Sequence, residues 1–230
     1  MFNQLKPLAA LIATALISTS ALAATQTLDA GNYTISYDDA ALGMFGIPTL
    51  TASGISFAPS GDHAFSVESF SGMKLASSTV AFTITADAGY TLSAFNLSEN
   101  GTYLKFGDGS KVSLGGSLTV QDLVNTSSTV TKAVALSSPL SNSTTFEDLE
   151  ASSWNASAGA LLSTGKATVS ITDKLGAWAF AESDGYASIA KSNVILDVNV
   201  TAVPEPQSFA MLLAGLGVVG AMVRRRRNGV

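Results

Sequence analysis

Residues 79–87 read TVAFTITAD. Written as an extended chain, the stretch puts Val80, Phe82 and Ile84 on one face and Ala81, Thr83 and Thr85 on the other. Side chains in a strand alternate between faces with period two, so this is the pattern of a half-buried β-strand. The same alternation returns in KATVSITD, with Ala167, Val169 and Ile171 on one side. NVILDVNVT repeats it, setting Val194, Leu196, Val198 and Val200 against Ile195, Asp197, Asn199 and Thr201. Further strands are expected at NYTISY, ISFAP, HAFSVESF, VSLGGSLTV, STVTKAVAL and GYASIA. Asn100-Gly101 and Asp108-Gly109 have the turn chemistry of two successive hairpins, and Gly89 marks another turn. Only TTFEDLEASSW reads as briefly helical, through a Thr144/Glu147 capping box. Ten or more short strands with glycine-marked turns predict an all-β protein, an antiparallel β-sandwich, jelly-roll-like by preference and Ig-like next.

The 230 residues divide into three parts. Residues 1–23 carry Lys6, an apolar stretch from Leu8 to Ile17, and Ala21-Leu22-Ala23. That order is a secretory signal peptide, cut after Ala23 or Ala24 and implying export through the Sec machinery. Residues 24–202 are one domain's worth of chain, able to bury about 70% of its unfolded surface without covalent staples. The chain has no cysteine, which excludes disulfides, thiol nucleophiles, Cys-ligated metals and lipoprotein attachment. Between Ala24 and Ala202 seven lysines face sixteen acids, and all four arginines stand together at 224–227. A surface so acidic and free of arginine argues against nucleic acid, which is held mainly through Lys and Arg on phosphates.

Little in the domain points to catalysis. The one histidine, His63, has Asp62 beside it, but neighbours in an extended chain point opposite ways, so Asp62 orients it poorly. No Gly-x-Ser-x-Gly elbow occurs, and no catalytic residue, cofactor or metal is expected. Asp38-Asp39 and the group Glu147, Asp148, Glu150 are the acidic clusters to consider for calcium, and neither has the spacing of a linear calcium loop. A structural calcium assembled from distant loops stays open. Asp87, Asp108 and Asp184 read as turn residues. Trp154, in the polar stretch EASSWNASAG, is the candidate sugar contact, whereas Trp178, alternating with Phe180 in AWAF, reads as core.

Residues 203–230 hold the most specific signal. Pro204-Glu205-Pro206 is followed by fifteen uncharged residues, Phe209 to Val223, and then Arg224, Arg225, Arg226 and Arg227. As a helix the fifteen residues span ~22 Å, short of the ~30 Å hydrocarbon core of a bilayer, and form a marginal transmembrane helix. The positive-inside rule keeps the arginines cytoplasmic, and the signal peptide puts residues 24–202 on the opposite side. Val203 and Glu205 precede prolines and are driven towards extended conformations, the form in which peptidases bind substrates. The order of tripeptide, span and arginine stop resembles the PEP-CTERM family of exported bacterial proteins, and FTITADAGYTLSAFNLSENGTY resembles the sandwich domains that precede such tails. The resemblance implies recognition by exosortase, a membrane-embedded cysteine transpeptidase-like enzyme acting at Pro-Glu-Pro, and delivery to the cell surface or exopolysaccharide matrix. On this reading the chain is a substrate and a non-enzymatic surface or matrix protein. A carbohydrate-binding or adhesin module is the first alternative and a secreted hydrolase the second.

Overall fold

The computed structural model describes residues 24–141, 150–180, 184–203 and 206–227. The signal-peptide reading of residues 1–23 and the Thr144/Glu147 capping box lie outside the described residues. Thirteen strands and one α-helix, with three short 3-10 turns, are present among those described: β1 Thr25–Asp29, β2 Tyr33–Asp38, β3 Thr49–Leu50, β4 Gly54–Phe57, β5 Ser66–Ser69, β6 Gly72–Ala86, β7 Tyr90–Phe106, β8 Lys111–Asp122, β9 Thr129–Ala133, β10 Ala135–Leu136, β11 Ser152–Thr164, β12 Lys166–Ala179, β13 Tyr186–Ala202 and α1 Pro206–Arg227. They form two antiparallel sheets. One runs β1-β2-β6-β12-β8-β9, and the other runs β10-β11-β7-β13-β4-β3 with β5 also on β13.

The alternating stretches form the inner faces. Val80, Phe82 and Ile84 of β6, Ala167, Val169 and Ile171 of β12, and Val194, Leu196 and Val198 of β13 are all buried, in one apolar cluster fed by both sheets. Phe45, Phe57 and Phe65 fill its centre with edge-to-face contacts at 5.7 Å between ring centroids, a favoured aromatic geometry. Val200 is half-buried, because a register shift between Asn199 and Val200 turns the end of β13.

The turns behave differently from the sequence expectation. Gly89 and Gly109 do take positive φ, +85° and +80°, as tight turns demand of glycine. Neither closes a hairpin. The turn at Gly89 carries the chain from β6 in one sheet to β7 in the other, and that at Asp108-Gly109 carries it back to β8. Among the long strands the chain therefore changes sheet at each step. In consequence β12 is inserted between β6 and β8, and β7 between β11 and β13. The two strand triplets interlock, and their pairing partners are distant in sequence.

Asn100-Gly101 is not a turn at all. Both residues lie inside the 17-residue β7, paired with Asn155 and Trp154 on one side and with Asn193 and Lys191 on the other. Glycine is required there by close approach. A Cβ on Gly101 would stand 2.0 Å from the Ala190 carbonyl oxygen and 2.6 Å from the Trp154 ring. The strand partner on each side outweighs local turn propensity.

The expected membrane-spanning helix is not met in full. Residues 206–227 are helical, but among the described residues no helix is long and apolar enough to cross a membrane. Three glycines dilute the apolar run and four arginines occupy its last turn. Proline stands at the first helical position of α1, where its missing N–H is not needed. Met211, Leu212 and Leu213 are consecutive and all exposed, so α1 presents apolar side chains around its circumference rather than along one stripe.

A Gly101→Ala substitution should lower unfolding stability by about 1–3 kcal/mol, the usual range for overpacking. Chemical denaturation followed by tryptophan fluorescence measures this.

Candidate functional site

Period-two alternation places charged residues on the inner faces as well as apolar ones. Counting along β7, the inward positions are Phe95, Leu97, Glu99, Gly101 and Tyr103. Along β12 they include Ile171, Asp173 and Leu175, and along β13 Ala187, Ile189 and Lys191. Glu99, Asp173 and Lys191 thus meet between the sheets. Lys191 Nζ donates to Glu99 Oε2 at 2.7 Å and to Asp173 Oδ2, with all three side chains closed to solvent. Sequence reasoning missed these residues, although the signal was present: each continues the parity of its apolar neighbours.

The surroundings of the group are aromatic. Lys191 Nζ lies 5.4 Å from the Phe65 ring centroid and 5.8 Å from that of Trp154, within cation–π range. Trp154, Gly101 and Lys191 are opposed across β11, β7 and β13, and the indole lies over the bare glycine. Its Nε1 donates to the Ala190 carbonyl at 3.2 Å. Burial, and next the adjoining Asp173, push the Glu99 carboxyl up against the lowering pull of Lys191, to about 8. Desolvation disfavours the ionised form of a buried acid, and here it prevails over the ammonium.

The sugar-contact expectation for Trp154 is therefore overturned. Trp154 is 3% exposed and belongs to the core, because it shares the inward parity of Ala156, Ala158 and Ala160. Trp178 is the exposed one, at 41%. It is out of phase with the buried Ala177 and Ala179 and packs against Phe180 at 5.6 Å. With Met73, Leu75 and Lys111 it lines a shallow cavity of about 190 Å³ on the outer face of the first sheet.

The remaining candidates do not assemble a site. Nδ1 of His63 donates to the Gly43 carbonyl at 2.8 Å, and Asp62 is exposed. Asp38 caps a 3-10 turn by accepting from the Ala40 N–H at 2.9 Å, and Asp39 accepts from Gln26 at 3.3 Å. Glu147 and Asp148 lie outside the described residues, and Glu150 is exposed. Among the described residues no three His, Cys, Asp or Glu side chains gather as for a metal ion.

At the chain's far end, β13 stays paired to its last residue, Ala202 opposite Tyr90. The Val203 N–H still donates to the Gly89 carbonyl at 2.7 Å, so Val203 is tied to the β6–β7 turn rather than unpaired. Pro204 and Glu205 lie outside the described residues, and α1 starts at Pro206. A family model for the PEP-CTERM protein-sorting motif matches residues 202–227. The chain carries a PEP-CTERM sorting motif. No curated protein and no solved structure matches it. The PEP-CTERM match begins on the last residue of β13 and ends on the last residue of α1. It supports an exported protein sorted by exosortase, and it covers none of β1 to β12.

Glu99 gives a pH dependence of definite sign. Its folded-state value near 8 lies above the ordinary 4.5, so the folded chain holds an extra proton between the two. Stability should fall as pH rises through that window, by at most about 1.4 kcal/mol per pH unit. Denaturant titrations at a series of pH values check this, and Glu99→Gln should flatten the slope.

Proposed function

We propose that this chain is an exported, non-enzymatic cell-surface or matrix protein, delivered by exosortase acting on its C-terminal tail. The observation that carries the reading is the PEP-CTERM motif at residues 202–227, set directly behind the last strand. Pro204, Glu205 and Pro206 are the recognition residues. The α1 stretch, with Arg224 to Arg227 at its end, holds the chain at the membrane for a limited time. A run of fifteen uncharged residues is too short for a stable span, which suits a segment that is removed. The apolar side chains exposed all round α1 also suit a lipid surroundings better than water.

The non-enzymatic part of the reading draws on the interior. Lys191, Glu99 and Asp173 form a group of titratable side chains that solvent does not reach. A substrate would have to part the two sheets to do so. The adhesin or carbohydrate-binding alternative has one observation in its favour, the exposed Trp178 beside Met73 and Leu75. Flat aromatic faces of this kind stack on sugar rings. That alternative expects polysaccharide pull-down to be lost in Trp178→Ala with the fold intact, whereas the surface-protein reading needs no such binding.

Intact mass of the protein recovered from the surface or medium of an exosortase-bearing host tests the proposal. A C-terminus between Val203 and Pro206 is expected, and Glu205→Ala should reduce its yield. A mature protein still ending in Arg224 to Arg227 and the residues after them would contradict it.

A further inference from the structure

The geometry points to an intramolecular amide bond between Lys191 Nζ and Asp173 Cγ, formed by the folded protein itself and joining the two sheets covalently, with Glu99 as the proton relay. Lys191 and Asp173 come from β13 and β12, which lie in different sheets and are 18 residues apart in sequence. Their reacting groups are already in hydrogen-bonding contact. Holding reactants in this way replaces an encounter between free groups with a step inside one molecule.

As a plain ion pair the group is poorly satisfied. Three ionised side chains would carry a net negative charge with no solvent access. Oε1 of Glu99 and Oδ1 of Asp173 have no hydrogen-bond partner among the described groups. Buried charge is costly unless it is paired and fully hydrogen-bonded. Burial keeps a proton on Glu99 near neutral pH, so the group is neutral overall as ammonium, carboxylate and carboxylic acid. Moving one proton from Lys191 to Asp173 then produces a free amine and a second carboxylic acid with no net charge created. That transfer takes place beside the Phe65 and Trp154 rings, in a site that solvent does not reach.

From there the reaction balances without an outside reagent. The Nζ lone pair attacks Asp173 Cγ and the carbonyl becomes tetrahedral. Glu99, within 2.7 Å of Nζ, delivers its proton to the departing hydroxyl and takes one from the nitrogen. A C–N bond forms, a C–O bond breaks, and one water leaves. Glu99 ends as it began and can donate to the new amide oxygen. Nothing is oxidised or reduced. The chain contains no cysteine, so no disulfide ties its strands.

Intact mass spectrometry of the full chain, folded and then denatured, tests the inference. The mass should be lower than the sequence requires, for the termini found, by one water. Peptide mapping should show the Lys191 peptide joined to the Asp173 peptide. Lys191→Arg and Asp173→Ala should restore the full mass, and Glu99→Gln should leave most of the protein unjoined while circular dichroism shows the strands intact. Wild-type protein at full mass would overturn the inference. So would a water lost instead at Asp108-Gly109 or Asp184-Gly185 as a cyclic imide, a bond from Lys191 to Glu99, or a Glu99→Gln protein that condenses as completely as wild type.

Discussion

A buried ammonium held between two carboxyl groups is the constraint around which the two sheets are arranged. Lys191 stands on one sheet beside Glu99 and reaches across to Asp173 on the other. Taking these groups out of water costs several kcal/mol per ion, and their mutual contacts, with the Phe65 and Trp154 rings near Nζ, offset it. They fix the spacing and the register of the sheets more narrowly than apolar packing does, because hydrophobic contact is non-directional and an ion pair of 2.7 Å is not. Other features fall into place around them. Gly101 is bare so that Trp154 can lie over it, and Trp154 is turned inward to cover the ammonium and bind the Ala190 carbonyl.

The interlocked strand order has the same dependence. The long strands find partners from the other half of the chain, so local turns cannot set the pairing. Non-local pairing is slow to form, since loop-closure entropy comes before the contacts that reward it. A central polar group satisfied in only one register penalises misaligned sheets. A slip of one residue would turn Glu99 or Asp173 outward and leave Lys191 alone in the core.

The inner faces of β6, β12 and β13 were legible in the sequence, because Val80, Val169 and Leu196 sit in uninterrupted alternation. Misreadings arose where composition and parity disagreed. Trp154 lies among polar residues and was expected outside, yet parity with Ala156 and Ala158 turns it inward; Trp178 is the reverse case. Asn100-Gly101 has real turn chemistry, but a strand on each side holds it extended. Which strands pair was not legible, since Asp108-Gly109 looks the same in sequence whether it joins strands of one sheet or of two. The PEP-CTERM motif at residues 202–227 was legible, because it lies in the order of local elements and not in contacts. Its span was the exception: fifteen uncharged residues with three glycines make a helix, but not one long and apolar enough to cross a membrane.

The proposed function separates address from payload: on that proposal residues 203–230 direct the chain and the two sheets travel with them. Transplanting those residues onto an unrelated exported passenger, in a host with exosortase and in the same host without it, tests that separation most directly. The account predicts a passenger that leaves the membrane fraction and ends within the transplanted Val203 to Pro206 only when exosortase is present. A passenger that keeps its arginines and remains with the membrane in both hosts would contradict it.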